Sequence, residues 1–102
     1  MSIEKKDLKS RMVSRVTFRL PREAAPEATK VALVGDFNDW RPDATPMQRL
    51  KNGEFKVTLD LERGRVYHFR YLIEGRVWEN DWTADRYEPA GVGNAENSVV
   101  VV

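Results

Sequence analysis

Apolar and polar residues alternate along much of this chain with a period of two, the repeat of a strand with one face buried. Val16-Thr17-Phe18-Arg19-Leu20 shows the pattern first, and Pro21 ends it. Lys30 to Gly35 is apolar at Val31 through Val34, as in a strand covered on both faces. Met47 to Leu50 alternates weakly, and Asn52-Gly53 is a strong hairpin signal. Phe55 to Leu61 then alternates without a fault, with Phe55, Val57, Leu59 and Leu61 on one face. Val66 to Ile73 is the longest predicted strand. Tyr67, Phe69, Tyr71 and Ile73 share one face, and His68, Arg70 and Leu72 the other. Glu74-Gly75 turns the chain into Arg76-Val77-Trp78, and Glu79 to Asn97 reads as irregular. Ser98 and four valines close the sequence as a strand that must be paired, since a bare valine edge invites aggregation.

These segments predict an all-β domain, an immunoglobulin-like antiparallel β-sandwich of about seven strands. An isolated barrel is the alternative. Residues 1–13 are charged and mixed, and read as a frayed, flexible tail ahead of a domain spanning 14–102. Ile3, Leu8 and Met12 fall near helical spacing, so a short helix is the other reading of the tail. Asp36 to Met47, with Pro42 and Pro46, is a loop long enough to be functional.

Composition narrows the function. Seventeen Lys and Arg against sixteen Asp and Glu leave a formal charge of +1, too little for a field that gathers nucleic acid or an anionic membrane. There is no cysteine, which removes disulfides and thiol chemistry. Met1 to Lys9 has no apolar core for a secretion signal, and no run approaches the roughly 20 apolar residues of a membrane helix. A cytoplasmic location is expected, with neither a nucleic-acid nor a membrane partner.

Catalytic chemistry is poorly supplied. The lone histidine, His68, lacks the partners of a triad or a histidine metal pair and reads as structural. No metal site and no cofactor is expected. Asp36 with Asp39, and Asp81 with Asp85, are paired carboxylates on paper. In a small sandwich, turn capping is the better reading of Asp36 and Asp39. Gly91 and Gly93 have no helix after them, so they do not match a dinucleotide fingerprint. Arg63, Arg65, Arg70 and Arg76 lie near aromatic residues, but Glu62, Glu74, Glu79 and Asp81 are interleaved among them.

The remaining constellation is Trp40, Trp78 and Trp82, of which at least one is expected in the core. An exposed indole covers the apolar C–H face of a sugar ring, while amides and guanidinium groups bond its hydroxyls. Asn38, Arg70 and Asn97 are candidates for those polar partners. For Trp40, folding over the end of the sandwich is an equal reading.

Val34-Gly35-Asp36-Phe37-Asn38-Asp39-Trp40 resembles the signature of carbohydrate-binding module family 48, the glycogen-binding domains of the AMP-activated kinase β subunit and the N-terminal domains of isoamylases and branching enzymes. Gly53-Glu54-Phe55, Leu59-Asp60-Leu61, Tyr67 to Tyr71 with Glu74-Gly75, Trp78 to Asp81 and Glu96 to Val100 are similar to later parts of the family in order. The resemblance runs from about Ser14 to Val102. It implies an immunoglobulin-like sandwich that holds α-1,4-linked glucan, such as glycogen or a maltooligosaccharide, with two tryptophans, a basic residue and an asparagine. Those roles fall on Trp40, Trp78, Arg70 and Asn97, with Arg70 where the kinase subunit has lysine. A leucine that inserts into the glucan helix there has Val92 as its nearest counterpart. The spacing before Trp78 is one residue longer than usual, which leaves Trp82 as the alternative second platform.

The expected function is non-catalytic α-glucan binding. The alternative is a protein-interaction or regulatory domain that docks on a glycogen-metabolising enzyme or another partner. An enzyme is the weakest reading, since a (β/α)₈ catalytic barrel needs about 250 residues.

Overall fold

The computed structural model describes residues 3–8, 12–91 and 93–102. Among them run nine strands: β1 (Glu4–Asp7), β2 (Val13–Leu20), β3 (Val31–Gly35), β4 (Gln48–Arg49), β5 (Phe55–Glu62), β6 (Val66–Ile73), β7 (Val77–Glu79), β8 (Arg86–Pro89) and β9 (Glu96–Val101). Two short 3₁₀ turns, Arg22–Ala24 and Asp36–Asn38, follow β2 and β3. The strands form two antiparallel sheets, ordered β1-β2-β5-β4 and β3-β6-β9-β8, with β7 also paired to β6. This is the expected antiparallel sandwich and not the barrel. No helix among the described residues is long and apolar enough to cross a membrane.

Nine strands replace the predicted seven, and the two additions are both edges. β1 lies inside the segment read as a tail, and it is neither helical nor unpaired: Glu4 to Asp7 pair with Ser14 to Thr17 of β2. β8 lies inside the stretch read as irregular and pairs with Glu96 to Val99 of β9. Every residue of β1 is exposed, and β8, Arg-Tyr-Glu-Pro, has none buried. An edge strand that buries so little need not alternate, so periodicity carries no signal for it.

The core lies between the sheets. Val16, Phe18 and Leu20 of β2 and Phe55 and Leu61 of β5 face Val31 and Leu33 of β3, Tyr67, Phe69 and Tyr71 of β6, and Val100 of β9. Alternation on each strand puts these on one face, as the pattern requires. The tryptophan expected in the core is not there. Trp78 and Trp82 are 45% and 53% exposed, and Trp40 is half-buried. Phenylalanine fills the place instead. Phe37, just past β3, inserts beside Phe18, Phe69 and Tyr67 with ring centroids 5.6, 6.4 and 6.1 Å apart.

Two features of the pairing set up the outer face. β3 occupies one edge of β6, at Phe69 to Ile73. β9 and β7 share the other edge, β9 along Val66 to Phe69 and β7 along Tyr71 to Ile73. The three residues Glu74, Gly75 and Arg76 join β6 to β7, and the first two have φ of 54° and 68°, in the left-handed region. The long loop after β3 folds back along that strand's free edge: Leu33 N–H donates to the Thr45 carbonyl and Met47 N–H to the Val31 carbonyl.

Candidate functional site

On the outer face of the β3-β6-β9-β8 sheet, Asp36, Trp40, His68, Arg70, Trp78, Pro89, Ala90, Ala95 and Asn97 line an open groove of about 610 Å³. Strand alternation supplies His68 and Arg70, which point away from the core because Tyr67, Phe69 and Tyr71 point into it. Register supplies Trp78, opposite Leu72 on β7, and Asn97, on the β9 strand beside β6. The loop after β3 supplies Asp36 and Trp40.

Phe37 and Trp40 divide that loop between the two sides of the sheet. Gly35 makes the crossing possible. A Cβ there would lie 2.5 Å from the His68 carbonyl oxygen, 2.7 Å from Phe69 Cβ and 2.9 Å from the Phe37 ring. Asn38 then locks the turn. Its Oδ1 accepts from Gly35 N–H at 3.1 Å, and its Nδ2 donates to the Leu33 carbonyl and to Thr45 Oγ1, each at 2.9 Å. Asp39 and Trp40 follow with φ of 59° and 57°, two successive non-glycine residues in the left-handed region. That conformation is unfavourable for a bulky side chain and persists only where surrounding contacts impose it. Here Trp40 N–H donates to the Gly35 carbonyl at 2.9 Å, and its indole Nε1–H donates to Asp36 Oδ1 at 2.8 Å.

The groove's polar groups are prearranged. Arg70 Nε donates to Asn97 Oδ1 at 2.7 Å, and its guanidinium lies 5.9 Å from the centre of the Trp78 ring. That leaves the Arg70 Nη groups and Asn97 Nδ2 without a hydrogen bond among the described residues, donors turned to the groove. Asp36 Oδ2 accepts His68 N–H at 2.7 Å and lies 3.0 Å from His68 Nδ1. His68 Nε2 is 2.6 Å from Glu88 Oε1, and Arg86 Nε donates to Glu88 Oε2 at 2.7 Å. The Glu88 contact raises the His68 pKa above its usual value against partial burial, with Asp36 adding to it. Burial pushes Asp36 upward, but donation from His68 N–H, the Trp40 indole and the His68 ring outweighs it and holds the carboxyl below its usual range.

Of the six residues singled out in the sequence, Trp40, Arg70, Trp78 and Asn97 line this groove. Asn38 sits beneath it with its amide engaged in the turn. Trp82 lies outside the lining, its indole N–H donating to Glu79 at 3.2 Å. Val92 is outside the described residues. The groove also holds two polar residues that sequence reasoning did not place in it, Asp36 and His68. The signal was available for His68, which shares the outer face of β6 with Arg70 by simple alternation. The turn cap expected at Asp36 is supplied by Asn38 instead; the Asp36 carboxylate accepts the Trp40 indole N–H and the backbone N–H of His68, a partner 32 residues away that no local spacing encodes.

Residues 10–88 match carbohydrate-binding module 48 (isoamylase N-terminal domain). A 1,4-alpha-glucan branching enzyme of Xanthomonas campestris pv. campestris is 40% identical over 55 residues, which are 52% of this chain and 8% of that enzyme. The corresponding enzyme of Emericella nidulans is 46% identical over 43 residues, 42% of this chain and 6% of the enzyme. That of Deinococcus radiodurans is 37% identical over 68 residues, 66% of this chain and 9% of the enzyme. The chain thus spans less than a tenth of the length of these relatives. The family is one of binding modules, not of catalytic domains. With the family model covering most of its length, the chain belongs to the carbohydrate-binding module 48 family.

Proposed function

We propose that the protein binds α-1,4-linked glucan, glycogen or maltooligosaccharide, in the groove between Trp40 and Trp78. The observation that carries this reading is that two partly exposed indoles share one groove on one sheet face with a hydrogen-bonded Arg70–Asn97 pair. A glucose ring presents an apolar C–H face and a rim of hydroxyls. Indoles cover the first, and the planar fork of Arg70 with the Asn97 amide bonds the second. The module binds without catalysis. The 1,4-alpha-glucan branching enzymes among its relatives support glucan as the ligand. A shallow open site of this kind binds a single chain weakly, at roughly micromolar to millimolar Kd, and repeated chains on one particle raise the apparent affinity.

Native gel electrophoresis in glycogen tests the proposal. The protein is expected to be retarded, and Trp40→Ala to lose the retardation while keeping its far-ultraviolet spectrum. Removing one stacked ring worth about 1.5 kcal/mol weakens binding about tenfold. Unchanged mobility in glycogen and amylopectin, with no shifted indole N–H signal on adding maltoheptaose, overturns it. That outcome favours the alternative, docking on a glycogen-metabolising enzyme or another protein partner.

A further inference from the structure

We propose that Asp36 and His68 are positioning residues for the Trp40 platform: a doubly protonated His68 ring, bridging Asp36 and Glu88, holds Trp40 in its binding posture and makes the groove's affinity depend on pH. The inference rests on the reading of the groove as a glucan site. Its structural half, the coupling of Trp40 to His68, can be measured without ligand.

Trp40 adopts a backbone conformation that its bulk disfavours, so its posture depends on its tethers. One is the bond from its own N–H to the Gly35 carbonyl; the other is the indole N–H on Asp36 Oδ1. The indole tether is only as firm as Asp36. That carboxylate is held through its second oxygen by two groups of His68, the backbone N–H at 2.7 Å and ring Nδ1 at 3.0 Å. On the far side of the ring, Nε2 meets Glu88 Oε1 at 2.6 Å. Both ring nitrogens therefore face carboxylate oxygens, which only accept. A neutral imidazole has one N–H and one lone pair, so it satisfies one of these contacts and sets a lone pair against the other. The imidazolium satisfies both.

The other charged groups around the ring leave this logic intact. Arg86 on β8 is bonded to Glu88, and Arg70 on the ring's own strand is bonded to Asn97. Val99 of β9 lies directly across from His68 and does not titrate. The sign follows. His68 holds its second proton to higher pH than an ordinary histidine, so the clamp is complete at mildly acidic pH and opens as pH rises through the raised value. Glucan affinity is then highest at the acidic end and falls toward alkaline pH. His68 is the chain's one histidine and there is no cysteine, so few other groups change charge in this window.

The test has two readouts. In the ligand-free protein, the Trp40 indole N–H resonance, assigned by comparison with Trp40→Phe, is expected to move between pH 5.5 and 8.5 with the midpoint of the His68 ring signals. In His68→Gln that movement is gone. Calorimetric titration with maltoheptaose is expected to give a Kd about fivefold larger at pH 8.5 than at pH 6. For His68→Gln the two values are equal and close to the weaker one. Should His68→Gln fail to fold, Glu88→Gln replaces it, and both the His68 midpoint and the indole response are expected to move together to lower pH. An indole resonance that ignores the His68 titration, or equal wild-type Kd values at the two pH values, overturns the inference and leaves the glucan reading standing. Absence of maltoheptaose binding at either pH overturns the glucan reading, while the ligand-free spectrum still decides the coupling.

Discussion

Gly35 stands where three groups leave no room for a side chain. The His68 carbonyl, the Phe69 Cβ and the Phe37 ring all lie within 2.9 Å of the place its Cβ would take. Two of them belong to β6 and cannot swing away. Gly35→Ala is therefore expected to lower stability by about 2 kcal/mol, as a shift in the urea midpoint, because the backbone of β3 or the Phe37 ring must move. Asn38 and Trp40, two residues apart, are expected to behave oppositely. Asn38→Ala strands the Gly35 N–H and the Leu33 carbonyl and should destabilise by about 2 kcal/mol. Trp40→Gly relieves a left-handed conformation, and should hold stability within about 1 kcal/mol while removing glycogen retardation. Urea unfolding beside the native gel separates the two cases. At this scale the sequence was informative about residue type and less so about employment. Trp40, Arg70, Trp78 and Asn97 were legible through the family resemblance. That Asn38 spends its whole amide on the turn depends on where Leu33 and Thr45 end up, which no spacing rule encodes.

β1 and β8, the elements that periodicity missed, close one side of the sandwich. Lys5 of β1 reaches Asp85, just before β8, at 2.7 Å, and Asp85 also accepts Val101 N–H of β9 at 2.7 Å. This ties the two sheets together across their edges. The ion pair is partly exposed and contributes at most about 1 kcal/mol. The larger role of β1 is to cover β2, whose backbone groups would otherwise form an open edge beside a strand carrying Val16, Phe18 and Leu20. A variant lacking residues 1–8 is expected to self-associate, read as a mass above the monomer in size-exclusion chromatography with light scattering. Lys5→Ala should stay at the wild-type mass. Of the strands that were legible, β2, β3, β5, β6 and β9 supply most of the buried side chains, and they show it as alternation or as an apolar run; β4 and β7 bury none and were legible from weak alternation at Met47 to Leu50 and from the turn at Glu74-Gly75. An edge strand owes its existence to a neighbour's free hydrogen bonds, and charged residues satisfy that demand as well as any.

For the whole molecule, five titrating groups set the pH range of greatest stability. Backbone N–H donation from Thr29 and Lys30 lowers Glu74, and Arg86 then His68 lower Glu88. In Asp85, burial acts upward but donation from Lys5 and Val101 outweighs it, and Asp36 is likewise lowered on balance. A lowered carboxyl stabilises the fold above its ordinary value, 3.8 for Asp and 4.5 for Glu, and loses that contribution as pH falls through the lowered one. His68 is raised, so its contribution is complete below the ordinary 6.5 and is lost as pH rises through the raised value. The urea midpoint is expected to be greatest between about pH 4.5 and 6.5 and to decline on both sides. The alkaline decline should vanish in His68→Gln.

The chain's own apolar pattern was enough to specify an all-β sandwich, the identity of its main strands and the inward faces of β2, β5 and β6. Pleating is local: once a segment is extended, neighbouring side chains take opposite faces, and the apolar set must go inside. The groove was not specified in that way. It exists because β7 and β9 share one edge of β6, because the loop after β3 sends Phe37 inward and Trp40 outward, and because Asp36 meets a histidine 32 residues away. Those are matters of register and long-range pairing, fixed only when distant segments are hydrogen-bonded to one another.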